Sequence, residues 1–153
     1  MKRFNGDEKY RIQAATWNLY NDNEKMNLCL LIESDEAIAQ SEDTASYFQM
    51  LNWELNLVEK SLEDSQLQSG FTANIPEAYD EDGDGWITNF YFVEHQGSEN
   101  NKIEIIERQG DQLLIRVSGE IPDVNFYDGS KPHATLLVET WFTKDENTRR
   151  SMN

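Results

Sequence analysis

The strongest constraint on this chain is the strict alternation of apolar and polar residues in several short runs. In the clearest, Tyr47, Gln49, Leu51, Trp53, Leu55 and Leu57 fall on one side, against Asn52, Glu54 and Asn56 on the other. A period of two puts successive side chains on opposite faces of a strand, whereas a helix would need a period of 3.6. The pattern recurs where Met26, Leu28, Leu30 and Ile32 alternate with Lys25, Asn27, Cys29 and Glu33. It returns where Leu113, Ile115, Val117 and Ile121 alternate with Gln112, Arg116, Ser118 and Glu120.

Weaker runs complete the strand set. Tyr10 to Tyr20 changes phase between Ala14 and Trp17, which predicts a β-bulge near Ala15 or Thr16. With the run from Lys25 it forms a hairpin across Asn21–Glu24. Leu67 to Ile75 gives a strand ended by Pro76, and Trp86 to His95, apolar on both faces, predicts a central strand. Residues 102–108 and 134–144 supply two more, while Ser34 could cap a short helix over Asp35–Gln40. The sum is an all-β chain, expected as an antiparallel β-sandwich of about eight strands with a β-barrel as the alternative. No linker or repeat divides it, so 1–153 is expected to be one domain, with 1–9 and 145–153 as flexible tails.

The most chemically specific stretch is Asp80-Glu81-Asp82-Gly83-Asp84-Gly85-Trp86-Ile87. Asp80, Asp82 and Asp84 alternate, and Gly85 falls where a calcium loop of the D-x-[DN]-x-[DN]-G type turns sharply. The twelfth position, however, is Tyr91 where that loop needs a bidentate Glu, and Pro76 with a strand-like flank replaces the helices. This is therefore not an EF-hand. Two readings remain: a strand-flanked calcium loop through Asp80, Asp82 and Asp84, or an acidic turn with solvated carboxylates.

Charge supplies the other constraint. There are 29 Asp and Glu against 13 Lys and Arg, a net charge of −16. Such a surface repels nucleic acid and anionic membrane and favours cations or basic proteins. If every connection joined antiparallel neighbours, one end of the domain would collect Asp35, Glu36, Glu42, Asp43, Glu77, Glu81 and Asp111 beside the Asp80 loop. These residues are the expected partner-binding set. Phe126 and Tyr127, in the irregular run 122–133, could add an aromatic contact, and Trp53, Trp86 and Trp141 could stack a sugar.

Catalytic patterns are missing. His95 and His133 are the only histidines, Cys29 is the only cysteine, and there is no nucleophile elbow or phosphate-binding glycine loop. The N-terminus lacks the apolar core of a secretory signal, so the expected compartment is the cytoplasm. In charge and size the chain is similar in kind to immunity proteins and other inhibitors that cover a basic nuclease surface. The expected function is a non-enzymatic protein that binds a basic protein and needs no cofactor. The alternative is a calcium-stabilised module for a carbohydrate or other ligand.

Overall fold

The structure is a computed structural model that describes residues 1–3, 6–39, 50–92, 94–122, 130 and 132–150, without the side chains of 36–39, 92 and 94. The described residues form thirteen strands: β1 (Lys2–Arg3), β2 (Gly6–Asp7), β3 (Lys9–Asp22), β4 (Lys25–Ala39), β5 (Asn52–Glu59), β6 (Thr72–Ile75), β7 (Tyr79–Asp80), β8 (Gly85–Trp86), β9 (Thr88–Phe92), β10 (Glu94–Gln96), β11 (Glu99–Gln109), β12 (Gln112–Ile121) and β13 (Ala134–Lys144). The helical content among them is one 3₁₀ turn, Asp64–Gln66.

The all-β class read from the alternation is what the chain adopts. The strands form one curled half-barrel in the order β10–β9–β5–β4–β3–β13–β12–β11–β6, with β1 and β2 beside β13 and the β7–β8 pair apart. The arrangement is thus closer to the barrel alternative than to two stacked sheets. Neighbours are antiparallel except β13 and β3, which run parallel through Thr143–Thr16 and Lys144–Trp17. That pair joins the two halves of the sheet at one end. At the other end the gap is taken by β1, whose Lys2 pairs with Thr135.

Side-chain alternation explains the core. Leu28, Leu30 and Ile32 of β4, Trp53, Leu55 and Leu57 of β5, and Leu113, Ile115 and Val117 of β12 all point into the concave side and are buried. Turn chemistry agrees with the strand ends. Asn23 and Glu24 both carry positive φ, 50° and 67°, the twist that matches a two-residue hairpin. Gly110, at φ 61°, does the same service between β11 and β12.

The open sides of the curl are tied by a buried polar network. Trp53 Nε1 donates to Ser98 Oγ at 2.8 Å, and Thr88 Oγ1 donates to the Ser98 carbonyl at 2.7 Å. Asn101 Nδ2 donates to the carbonyls of Ile75 and Ser98 at 3.1 and 2.9 Å. Gly119 must be glycine for this network to close. A Cβ there would stand 2.2 Å from Asn101 Oδ1 and 2.9 Å from Trp53 Cζ2.

Several local expectations need correction. The helix over Asp35–Gln40 does not form, because β4 continues to Ala39 and Ser34 is turned inward, bonding Leu51 through its hydroxyl. The register slip in β3 lies between Lys9 and Ala14, earlier than Ala15 or Thr16. The run Trp86–His95 is not one central strand. Its described residues divide into β9, which ends at Phe92, and β10, which starts at Glu94, an antiparallel pair that ends the sheet.

Candidate functional site

The acidic stretch folds as the small hairpin β7–β8, with Tyr79 packed edge-on against Trp86 at 5.3 Å between ring centroids. Asp80 Oδ1 accepts from the backbone N–H groups of Asp82 and Gly83, both at 3.1 Å, so this oxygen caps its own turn. Asp84, in a left-handed conformation with φ 47°, accepts from the Tyr79 hydroxyl. That hydrogen bond holds the Tyr79 hydroxyl above its ordinary range. Among the described residues, no group of three His, Cys, Asp or Glu side chains is placed to hold a metal ion. The geometry is that of an acidic turn closed on itself, with Glu81, Asp82 and Asp84 exposed.

The acidic pole expected at one end is divided. β6 and β9 run in the same direction, and β10 then reverses, so every connection from β11 onward lies at the end opposite to the one anticipated. Asp111, exposed in the β11–β12 turn, therefore sits away from Asp35 and Glu36 at the far end of β4. Glu77 is exposed beside the β7–β8 hairpin. Glu42, Asp43, Phe126 and Tyr127 lie outside the described residues, as does the Glu36 side chain.

The C-terminal segment, a stretch read from sequence as a flexible tail, is bonded along β3 and to Trp86 of β8. Asp145 N–H donates to the Trp17 carbonyl at 2.9 Å, and Asn18 Nδ2 to the Glu146 carbonyl at 3.2 Å. Thr148 Oγ1 meets Thr16 Oγ1 at 2.7 Å. Arg150 donates its backbone N–H to the Tyr20 hydroxyl oxygen at 2.9 Å and its Nε to the Trp86 carbonyl at 2.6 Å. Cys29 lies on the same face, opposite Asn18 and Asn56, and is fully buried. Burial foremost, then the charge of Glu54, pushes its thiol far above the usual range.

A chain ending at Lys144 should therefore expose this thiol. Its modification by an aromatic disulfide under native conditions is expected to go from blocked to complete. A folded truncated protein with an unreactive Cys29 would show that some other element covers it.

Beyond the C-terminal segment, the outer face opens as a groove of about 310 Å³. Its floor is read directly from the strand register. Leu31 of β4, Glu54 of β5 and Asn89 of β9 form one row. Asn52, Tyr91 and His95 form the next, and Glu33 extends it on β4. Glu54 is only 6% exposed and accepts from Asn56 Nδ2 at 2.9 Å. Tyr91 leans on His95 with centroids 4.8 Å apart, and Asn89 Nδ2 is buried without a hydrogen-bond partner.

Sequence reading missed this groove. It saw Asn52 and Glu54 as the polar face of a strand, and Tyr91 and His95 as parts of a central one. The available signal was a carboxylate in mid-strand on a face that also carries Asn52 and Asn56, against a neighbouring strand whose outer face offers Tyr91.

Comparison with protein-family models, with curated proteins and with solved structures finds no match to this chain. Among the described residues no helix is long and apolar enough to cross a membrane.

Proposed function

We propose that this chain is a non-enzymatic binding protein whose acidic surface engages a basic protein. The observation that supports this reading is the unbalanced charge. Of only 13 Lys and Arg against 29 acids, Arg3, Arg108, Arg116 and Lys144 are already engaged with carboxylates of their own chain. Most carboxylates are left for water or for a partner. The surplus includes the exposed hairpin residues Glu77, Glu81, Asp82 and Asp84.

Like charges gathered this way raise the energy of the free protein, and a cationic surface relieves it while steering the encounter. Affinity capture with identification of the bound proteins tests the reading. The expected partner has a basic surface and is released as ionic strength rises from about 0.1 M to about 1 M, where the Debye length shrinks from about 10 Å to about 3 Å. Partners that are acidic, or held regardless of salt, would overturn it.

A further inference from the structure

We propose that segment 145–150 is a lid over the outer face of β3 and the neighbouring Cys29, with Arg150 as its latch and the Gly85–Trp86 backbone as the catch. The lid opens as one unit, well below the free energy of global unfolding. This device stands apart from the reading of a basic partner and needs no ligand.

The composition of the segment is the first observation. Asp145-Glu146-Asn147-Thr148-Arg149-Arg150 contains no apolar side chain. Docking therefore returns little hydrophobic free energy, and hydrogen bonds are what hold the segment down. They are spread along it. Asp145 N–H donates to Trp17, the Glu146 carbonyl accepts from Asn18, Thr148 meets Thr16, and Arg150 supplies two more. Each has a small net worth, because water replaces it on opening. Segments with few apolar contacts lie at the low end of local stability.

The surface beneath can be wetted at little cost. Thr16, Asn18 and Tyr20 alternate along β3 on the face that the segment engages. Asn18 and Thr148 are buried in the closed state. An apolar face would resist exposure, whereas these groups recover their hydrogen bonds from water. The segment also carries its own turn. Asp145 Oδ1 accepts from the N–H and Nδ2 of Asn147, both at 2.9 Å, and the Asp145 carbonyl accepts from Thr148 N–H at 2.9 Å. Those bonds survive when the outward ones break, so the segment lifts as a piece.

The latch is the most specific part. The Arg150 Nε bond to the Trp86 carbonyl is 2.6 Å long. A Cβ on Gly85 would stand 2.7 Å from Arg150 Nη2, so the guanidinium fits because residue 85 has no side chain. Gly85 does not have a positive φ, and its missing Cβ therefore serves the arginine rather than the turn. Cys29 reports on the closed state. It stands opposite Asn18 in the β3–β4 register, and the Arg150 charge acts on its thiol against the larger effects of burial and Glu54.

The test is the rate at which an aromatic disulfide modifies Cys29 in the full chain, followed against urea. In wild type the rate should be nearly flat at low urea, since a local opening exposes little surface. Arg150→Ala should raise it roughly tenfold or more, the range of a lost charged hydrogen bond. Gly85→Ala should act from the other side by pushing the guanidinium off its seat. The double variant should be no faster than the faster single one, because both remove the same contact. Gly85→Ala crowds only the end of a flexible side chain, so it keeps the fold and carries the test even where Arg150→Ala does not. In it, exchange of the Asp145 and Arg150 amides should rise by the same factor as the thiol rate.

A wild-type rate that follows global unfolding, no response to either single variant, or increases that multiply in the double would each overturn the latch. A thiol that stays blocked while the Asp145 and Arg150 amides exchange would overturn the lid as the cover of Cys29.

Discussion

Trp53→Ala should destabilise the fold by about 3–5 kcal/mol, the range for deleting a large buried aromatic. Trp53 is fully buried, and its position makes the loss larger than its area alone. Its ring stands on β5 against Phe90 of β9, while Gly119 of β12 approaches the same ring from the other side of the curl. Its indole N–H is also one of the bonds that fix Ser98, through which β9 and β11 are tied. Removing the ring opens a cavity and leaves Ser98 Oγ short of a donor at the same time. A small domain has roughly 5–15 kcal/mol in all, so the variant should lie at the edge of folding. Urea unfolding measures it directly, and Trp53→Phe, which retains a ring but loses the hydrogen bond, should fall between the two. A cost for the alanine variant below about 1 kcal/mol would mean that the network does not hold the curl together.

What was legible in the sequence followed from period-two alternation, and that signal is strongest where one face is buried and the other wet. β12 and β13 meet this condition and were read within a residue of their ends. β9 did not. Phe90 packs inward and Tyr91 lines an open groove, so apolar character on both faces looked like a central strand when it belonged to a hairpin at the sheet's end. The antiparallel turn from β9 to β10, with β6 and β9 running the same way, inverted every later connection, and the expected single acidic pole went with it.

The parallel contact of β13 with β3 was out of reach for a different reason. It consists of two paired positions set by long-range closure, and no local pattern announces it. The groove was illegible because its two rows are assembled from four strands that meet only once the register is known. The calcium reading finds no support in the hydrogen bonds of the turn. Spacing brings three carboxylates near one turn, but Asp80 is satisfied sooner by the N–H groups two and three residues ahead.

Residues 1–9 were expected as a flexible tail, and here the structure differs most in energetic terms. Glu8→Ala should cost about 3–5 kcal/mol, the penalty for stranding one member of a buried ion pair. The Glu8 side chain is fully buried and that of Arg3 is 4% exposed, with 3.0 Å between their charged atoms. Glu8 also accepts the Tyr10 hydroxyl, and its backbone exchanges two bonds of 2.8 Å with Met1, closing the β1–β2 hairpin onto β3.

Truncating the carboxylate removes the Glu8 charge from beside the buried Arg3 guanidinium. A paired replacement, Arg3→Met with Glu8→Leu, should recover most of the loss, since a hydrophobic pair of similar volume is often as stable as the ion pair. Tyr10 provides a second readout. Burial first, then the hydrogen bond and charge of Glu8, push its hydroxyl far above the ordinary range, against a smaller opposing effect of Arg3. The sign is therefore fixed: this stabilisation is present below the unfolded tyrosine value of about 10 and is lost as pH rises toward the folded one. In Glu8→Ala the Tyr10 titration should move down, and alkaline unfolding should lose part of its dependence on that group. An unchanged tyrosine titration together with a stability loss under about 1 kcal/mol would mean that the N-terminal hairpin is not held by this pair.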